Sequence, residues 1–411
     1  MTETTDLYRM SSSLRVVALA ETLQRARAFA SRLGIIRVTD TTRLDCIGIP
    51  VFASIRPTAL PGSLCVNAGK GLRPEEARVG AYMEAIEFAM AEYGRSAVDY
   101  VMATPRDVLD GRSRPEAILD FCPVFGAQIT LDDPMPCVEA EELLSSTRCL
   151  VPAELVYVPA PAVEGVQRHF GSSSNGLCSG NSVWEASVHG LAEVIERDIQ
   201  SFCFLHDTSV LVDIASLPPQ PAALARQIGE AGFTLRLRYV ENIFELPYFA
   251  AYVMEPDPVD AVYICGGFGC HPFKEIAAVR AICEAVQGRL SFIHGGRDDL
   301  IERHRLLAQM NGEQELAFSR KLAAKVSRPE GMIGFEAIGD RSGEVCDLSS
   351  AWEVLVAAIR KVGIAHVCRV VFTQPHDPVQ VLKLIVPRLE MFDRSTRRIG
   401  PRLRDHARFH E

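Results

Sequence analysis

The chain has 411 residues, of which 48% are hydrophobic and 23% are charged, a composition typical of a globular protein with a large buried core. Its formal net charge of -9 argues against a protein that binds nucleic acid by general electrostatic attraction. No stretch approaches the roughly 18 apolar residues of a membrane span, and the N-terminal segment lacks the pattern of a signal peptide. We therefore expect a cytoplasmic protein that binds neither nucleic acid nor a membrane.

Residue patterns in the first half of the chain predict intermixed helices and strands. We expect a helix at about 18–33, strands near 35–55, a loop at 61–74, a helix at 74–93, and strands with turns at 120–170. The loop has the sequence PGSLCVNAGKGLRP, whose glycines and prolines are typical of a connection between elements.

The second half begins with an amphipathic helix at 181–198 and continues with the same mixture. The spacing is too irregular for the repeated crossovers of a doubly wound sheet, so the predicted fold class is α+β, a single intertwined domain of mixed sheets and helices. The remaining predicted elements are strands at 233–241 and 247–267, helices at 272–294, about 300–312 and 376–382, and a last strand with the sequence VLKLIVP.

The helix at 181–198, NSVWEASVHGLAEVIERD, concentrates its acidic residues on one face. At about 100° per residue, five polar residues fall within roughly 120° and lie opposite the apolar side chains. This face has no lysine, so Glu193 and Glu196, one turn apart, would repel each other by about 0.2–0.5 kcal/mol in solvent. The pattern predicts a cationic partner, with a solvated acidic surface as the alternative. The five residues are Asn181, Glu185, His189, Glu193 and Glu196.

A second acidic pair lies in the predicted helix at 74–93, where Glu84 and Glu87 share a face with alanines and a glycine. Small residues beside two acids allow a ligand to approach the helix backbone closely. The alternative is a helix that packs through its Ala/Gly face and keeps the acids at the rim. Both ExxE pairs carry the carboxylate oxygens that hard cations prefer, and we expect the two pairs to form one site.

In the predicted helix at 272–294, Arg280, Glu284 and Gln287 fall within about 60° of one another. This combination can bind a phosphate or a base edge, and a buried ion pair with a helper is the alternative. Together with the acidic pairs, it indicates a nucleotide bound with Mg²⁺. The motifs GxxxxGK[ST] and GxGxxG are absent, and Lys70 between two glycines is either a ligand contact or part of a plain glycine turn.

The twelve cysteines are expected to be free thiols, because a reducing cytosol does not maintain disulfides. They include no CxxC pair, so a structural zinc site is not expected. Cys178, next to the acidic helix, is expected to be a small buried side chain rather than a nucleophile. The residues alone therefore indicate a magnesium–nucleotide site without defining the reaction.

Four ordered sequence blocks resemble the YcaO family. The central block, SSNGLCSGNSVWEASVHGLAEVIERD, is similar to a family signature in which an SNGxAxGN loop leads into NxxxExxxHxxxExxERD. The other blocks are GKG followed by MEAIE, RAICEAVQGRL followed by GGRDD, and KLIVPRLE followed by GPRL. The opening block GKGLRPEEA is most similar to family members that work beside a TfuA partner.

The resemblance implies a YcaO domain with a non-Walker ATP site at 50–403, an N-terminal extension at 1–49 packed on it, and a C-terminal tail at 404–411. It also implies an enzyme that uses ATP and Mg²⁺ to phosphorylate the oxygen of a peptide backbone amide. A neighbouring Cys, Ser or Thr side chain then gives an azoline, and an external sulfide gives a thioamide. The implied Mg²⁺ ligands are Glu84, Glu87, Glu193 and Glu196, and the implied nucleotide contacts are Lys70, Ser174, Asn181, Glu185, Arg280 and Gln287. His189 and Arg197 match the motif, but neither they nor any other residue is assigned a catalytic role.

Departures from the family pattern bear on the activity. Gly80 and Phe88 stand where the family usually has Ser and Arg, and Arg388 follows VP in place of the usual Gly. The chain ends in RLRDHARFHE rather than in the PxPxP tail of many azoline-forming members, which favours thioamide formation or another TfuA-assisted reaction.

The expected partners are a peptide or protein substrate, a TfuA-like or precursor-binding protein, and a second copy of the chain in a homodimer. Three alternatives to thioamide formation stay open. They are an azoline-forming cyclodehydratase, a catalytically silent YcaO scaffold that binds precursor peptide, and a metal hydrolase, although the chain lacks an HExxH ligand set.

Overall fold

The computed structural model describes residues 8–10, 13–109, 111–257, 260, 263–301, 305, 309–329, 331–392 and 397–409. The chain forms two compact units, and each unit is assembled from several chain segments. Unit 1 comprises Met1–Ala59, Leu64–Ala85 and Thr208–Val354, and unit 2 comprises Leu60–Ser63, Ile86–Asp207 and Leu355–Glu411.

Residues that favour helix termini mark several of the helices in the described part of the chain. These helices are α1 (Leu19–Ala30), α2 (Pro74–Ala91), α3 (Val183–Leu205), α4 (Pro219–Glu230), α5 (Lys274–His294), α6 (Gly312–Ser327), α7 (Leu348–Lys361) and α8 (Pro401–Phe409). Ser182 caps α3, and Asn311 forms a capping box with Gln314 at the start of α6. Pro74 and Pro401 open α2 and α8, where a missing backbone N–H costs nothing. None of these helices combines the length and the hydropathy that a membrane span requires.

Short antiparallel strands make up the sheets of the described residues. They are β1 (Tyr8–Met10), β2 (Ser13–Arg15), β3 (Arg37–Asp40), β4 (Val51–Ile55), β5 (Val66–Lys70), β6 (Val101–Ala103), β7 (Met135–Glu142), β8 (Thr147–Pro152), β9 (Leu177–Gly180), β10 (Val210–Leu211), β11 (Thr234–Tyr239), β12 (Tyr248–Met254), β13 (Cys265–Cys270), β14 (Cys368–Val371) and β15 (Gln380–Ile385).

Unit 1 contains a three-stranded sheet of order β3-β4-β5, a four-stranded sheet of order β10-β11-β12-β13, and the β1-β2 hairpin. Helix α5 supplies much of its hydrophobic core. Ala281 and Ile282 of α5 pack in one cluster with Val51 of β4 and Phe249 of β12. The polar side chains of α5 that the sequence analysis selected therefore project from a helix that the core holds firmly.

Unit 2 contains a six-stranded sheet in which β6-β7-β14-β15-β9 are neighbours and β8 also pairs with β7. Strand β15 lies between β14 and β9, and all six of its residues are buried. Helix α3 packs close to β9, because Gly190 of α3 leaves room for the Sγ atom of Cys178.

In unit 1, strand β5 and helix α2 approach each other through residues that lack bulky side chains. A Cβ atom added at Gly69 would overlap the backbone of Ala77 and Ala81 in α2, and one added at Gly80 would lie 3.2 Å from the Gly69 Cα atom. Of the two interpretations of the small face of α2, packing through its Ala/Gly side is the one that the contact with β5 supports. A side chain at Gly80 would therefore lie in tight contact with the strand.

The predicted α+β class of mixed sheets and helices is confirmed, and the predicted helices at about 18–33, 74–93 and 272–294 match α1, α2 and α5. The domain boundaries at 50 and 403 stay predictions. The predicted helix at about 300–312 falls partly outside the described residues, which leave out 302–304 and 306–308.

Two element predictions were wrong. The predicted loop at 61–74 contains β5, because its glycine and alanine serve close helix packing rather than a turn. The predicted helix at 376–382 falls on turns and the start of β15, whereas the predicted strand VLKLIVP matches most of β15, which is buried on both faces. Helices α4, α6 and α7 were not predicted, and α8 includes most of the segment that was taken as a tail.

The contact between β5 and α2 predicts opposite effects for two Gly→Ala substitutions. Gly69→Ala should lower the free energy of unfolding by about 3 kcal/mol or more, since the new methyl group overlaps helix backbone that cannot move aside locally. Gly229→Ala in α4 should raise it by about 0.5 kcal/mol, because nothing lies within 4 Å of the added Cβ atom. Urea unfolding measures the free energy of unfolding of both variants. Equal values for the two variants would contradict the close packing of β5 on α2.

Candidate functional site

The free edge of strand β5 brings together predicted site residues of unit 1. The Ala68 backbone amide donates to Oε2 of Glu84 at 3.2 Å, and Nε2 of Gln287 donates to the Ala68 carbonyl oxygen at 2.9 Å. Lys70 forms a 2.5 Å salt bridge with Glu284, and these two side chains are 22% and 25% exposed. Glu84 and Gln287 thus satisfy backbone groups that an edge strand leaves without a strand partner.

Arg297, which was not among the predicted site residues, lies beside Glu84. Its Nη1 atom is 3.9 Å from Oε1 of Glu84, and its Nη2 atom is 2.8 Å from Oδ2 of Asp299. Burial raises the pKa of Glu84, and the positive charges of Arg297 and Lys70 oppose this effect. The family-like block GGRDD contained the signal for Arg297, but the block was matched without assigning its residues a role.

The N-terminal end of α3 orders two predicted nucleotide contacts in unit 2. The backbone amide and the Nδ2 atom of Asn181 each donate to Oε1 of Glu185 at 3.1 Å, and Oγ of Ser182 accepts from the Glu185 amide at 3.1 Å. Glu185 is buried, whereas Ser174 is exposed in the loop before β9. Asn181 and Glu185 are therefore in contact. Ser174, which precedes them in the sequence, is exposed to solvent.

The acidic face of α3 is not a solvated surface. Glu196 is only 3% exposed, and the Gly176 amide donates to Oε1 of Glu193 at 3.1 Å. Glu87 accepts a 2.5 Å hydrogen bond from Oγ of Ser179 on β9. Hydrogen bonds to backbone and hydroxyl donors therefore offset part of the cost of burying these carboxylates.

Lys383 supplies a cation to this acidic region that the sequence analysis missed. It is 1% exposed on β15, and its Nζ atom donates to the Ser173 carbonyl oxygen at 2.5 Å. Burial lowers the pKa of Lys383 to about 7, and the negative charges of Glu193 and Glu87 oppose this effect. The available signal was a lysine inside the apolar run VLKLIVP, because a buried lysine needs acidic neighbours.

The cysteines are free thiols, as predicted. Cys178 is buried, and its Sγ atom donates to the Gly176 and Leu382 carbonyl oxygens. Burial raises the pKa of its thiol well above the ordinary value, and the negative charges of Glu87 and Glu193 add to this effect. Cys178 therefore lacks the thiolate character that a nucleophile requires.

The carboxylates of the two ExxE pairs have the donor chemistry that Mg²⁺ prefers. Within the described residues, no three His, Cys, Asp or Glu side chains cluster so as to hold a metal alone. Mg²⁺ does not require such a cluster, since it keeps several waters and usually takes one or two carboxylates with substrate phosphates. Glu84 belongs to unit 1, and Glu87, Glu193 and Glu196 belong to unit 2. In unit 2, the negative charges of Glu87 and Glu193 both favour the charged form of Lys383. That all four carboxylates form one site stays a prediction.

A family model described as YcaO cyclodehydratase, ATP- and Mg²⁺-binding, matches residues 68–390. The chain belongs to the YcaO family. ATP and Mg²⁺ are accordingly its cofactors. A relative from Rhizobium leguminosarum bv. trifolii, described as an uncharacterized protein in the tfuA 3' region, is 32% identical to this YcaO chain over 405 residues, which cover 94% of this chain and 92% of the relative.

Two solved structures have the same fold as this YcaO chain. One is YcaO from Methanopyrus kandleri bound with AMPPCP and Mg²⁺, which matches with a TM-score of 0.76 at 23% identity and covers 97% of this chain and 98% of that chain. The other is a heterocyclase in complex with substrate and cofactor, with a TM-score of 0.70 at 18% identity, covering 94% of this chain and 55% of that chain. The predicted YcaO-type fold is therefore confirmed.

The last YcaO-like block has a structural role in unit 2. Glu390 is fully buried, and its carboxylate accepts hydrogen bonds from the backbone amides of Gly400 at 2.6 Å and Leu403 at 2.9 Å. Asp198, which ends the ERD sequence of α3, accepts from the Glu390 amide and from Nη1 of Arg402, each at 2.6 Å. The sequence GPRL therefore fastens the start of α8 to α3.

Loss of the Glu390 carboxylate should destabilise this YcaO protein. Glu390→Ala leaves two buried backbone amides without their acceptor and should lower the free energy of unfolding by about 2–4 kcal/mol. Glu164→Ala, at an exposed carboxylate of the same unit, should change it by less than about 0.5 kcal/mol. Urea unfolding measures both, and a Glu390→Ala variant as stable as its control would refute the structural role.

Proposed function

We propose that this YcaO protein uses ATP to activate a backbone amide of a peptide or protein, with Mg²⁺ held by Glu84, Glu87, Glu193 and Glu196. The observation that supports this proposal is the burial of the acids on α3. Glu196 is 3% exposed, and the negative charges of Glu193 and Glu87 favour the charged form of the buried Lys383. Buried carboxylates cost free energy unless cations or hydrogen bonds neutralise them, so their accumulation indicates a cationic ligand rather than a role in solubility.

The proposed nucleotide contacts differ in how many hydrogen-bonding groups are still available to bind a nucleotide. Lys70 gives one of its three N–H donors to Glu284 and is partly exposed, so it retains donors for a phosphate. Asn181 is oriented by Glu185, and the exposed Ser174 hydroxyl is available for hydrogen bonding. Gln287 already binds the β5 edge, which fixes its side chain. The proposed set is Lys70, Ser174, Asn181, Glu185, Arg280 and Gln287.

The proposed reaction asks little covalent chemistry of the protein. The γ-phosphoryl group moves from ATP to the amide oxygen and ADP leaves; a nucleophile then attacks the amide carbon, and the oxygen leaves with inorganic phosphate. Phosphoryl transfer depends on positioning and charge neutralisation, so a Ser–His–Asp set is not required. Bound Mg²⁺ would supply neutralisation of the phosphate charge. Lys383 holds the Ser173 carbonyl and thereby positions the loop that carries Ser174.

For the product, we favour a thioamide over an azoline. The relative in the tfuA 3' region supports a TfuA-like partner and hence a TfuA-assisted reaction. The heterocyclase that shares this fold is described in complex with substrate and cofactor, which supports a substrate bound by the fold here. A homodimer remains part of the proposal.

The departures at Gly80 and Phe88 do not favour a catalytically silent scaffold. Gly80 is explained by its close approach to Gly69, and Phe88 is 7% exposed within the core of unit 2. Both residues therefore have packing reasons to differ from the family pattern. Turnover of ATP in the presence of peptide would exclude the scaffold, and Mg²⁺-dependent nucleotide binding would exclude the metal hydrolase.

Neutralising one acid of α3 should abolish turnover without unfolding the protein. Glu193→Gln and Glu196→Gln keep the side-chain shape but remove an anionic ligand, so ATP hydrolysis with peptide substrate should fall by at least about 100-fold. Mg-ATP should also raise the melting temperature less in these variants than in the wild type. The measurements are phosphate release with peptide, and with partner where one is required, and thermal melts with and without Mg-ATP.

Glu164→Gln is the matched control, because it removes the same charge from an exposed position of unit 2 and should keep full activity. Wild-type turnover in a well-folded Glu193→Gln variant would return the acidic face to a purely structural interpretation.

A further inference from the structure

Arg388 has a backbone conformation that arginine rarely adopts. Its φ angle is +73°, in the left-handed region that glycine enters at little cost and other residues enter with strain. YcaO proteins usually have glycine at this position of the VPGL-like block, whereas this chain has the sequence VPRLE. An arginine here replaces the residue best suited to the backbone, so its presence needs an explanation other than stability.

Contacts of the neighbouring backbone impose this conformation. The Arg388 amide donates to the Asp120 carbonyl oxygen at 2.6 Å, and the Arg388 carbonyl oxygen accepts from Nη1 of Arg402 at 3.1 Å. Neither contact involves the Arg388 side chain. The left-handed conformation should therefore persist in a glycine variant, and the strain belongs to the side chain alone.

The side chain of Arg388 is partly buried and has no anionic partner among the residues that the structure describes. Its Nε atom is buried without a hydrogen-bond acceptor, and the side chain forms no hydrogen bond or ion pair within the part of the chain that the structure describes. Two acids are linked to the Arg388 backbone, Asp120 directly and Asp198 through Arg402, and both form salt bridges with other arginines. Asp120 forms a 2.6 Å salt bridge with Arg114, and Asp198 forms one of 2.6 Å with Arg402. Burying an uncompensated charged donor is unfavourable, which is a second cost at the same residue.

We propose that Arg388 anchors an oxyanion-binding site in unit 2, which takes a phosphate or a carboxylate group. A planar guanidinium binds either group through paired N–H donors, and its pKa keeps it charged at any working pH. An anion that completes the hydrogen bonds of the guanidinium would offset the cost of its unsatisfied donor, whereas the backbone strain remains as the cost of placing an arginine there. The site does not depend on the proposed amide activation, because it rests on Arg388 and its own surroundings.

Two arginine-to-glycine variants test the site. Arg397 also has a positive φ, +50°, but it is exposed, so Arg397→Gly relieves backbone strain of the same kind at another place. Both Arg388→Gly and Arg397→Gly should raise the melting temperature of the ligand-free protein, by about 1–3 °C. Only Arg388→Gly should weaken anion binding, by at least about tenfold, which corresponds to about 1.4 kcal/mol.

Binding is measured by calorimetry at low salt with two probes, inorganic phosphate and an acetylated triglutamate peptide. If Arg388→Gly loses affinity for inorganic phosphate, the site binds a phosphate group. If it loses affinity for the peptide, the site binds a carboxylate group. Should Arg388→Gly fail to fold, Arg388→Asn serves instead, since Asn tolerates the left-handed region. Equal affinities of the wild type and the Arg388 variant for both probes, or no binding of either probe by the wild type, would overturn the proposal.

Discussion

The positions of the site residues depend on helices that approach neighbouring short strands closely. In unit 1, Gly69 lets α2 lie against β5, and Gly267 and Gly269 of β13 let α5 approach in the same way. In unit 2 the glycine is on the helix, where Gly190 accommodates Cys178 of β9. Since α2, α3 and α5 carry the proposed ligands, small residues at these contacts set the positions of side chains with very different chemistry.

Close packing also explains why the acids do not behave as surface charges. Helix α3 is drawn onto its sheet far enough to bury Glu185 and Glu196. Hydrogen bonds from Asn181 offset part of the cost for Glu185, and the negative charges of Glu193 and Glu87 favour the charged form of Lys383. Lys383 can lie there because β15 is an internal strand of the sheet. A lysine fixed by the Ser173 carbonyl gives the acids of unit 2 a nearby countercharge when it is protonated, and burial lowers its pKa to about 7. A bound cation then has to neutralise only the charge that remains.

Local signals and motif spacing predicted much of this arrangement, whereas contacts between distant segments could not be predicted. The amphipathic period located α2, α3 and α5, because each has a continuous apolar side that packs on a core. It failed for β5, since a glycine-rich edge strand reads as a loop, and for the predicted helix at 376–382, which overlaps the start of β15. Lys383 and Glu390 were missed for another reason. Their partners lie far away in the sequence, and no period or spacing connects them.

The central claim is that the acids of α2 and α3 serve a Mg²⁺-bound nucleotide. Calorimetric titration of the purified wild-type chain with ATP, in Mg²⁺ and separately in excess EDTA, tests this claim without knowledge of the peptide substrate. The account predicts saturable binding of about one ATP per chain in Mg²⁺ and binding at least about tenfold weaker in EDTA, because the carboxylates then repel the phosphates. Binding of equal strength in both conditions, or no binding in Mg²⁺, would contradict it.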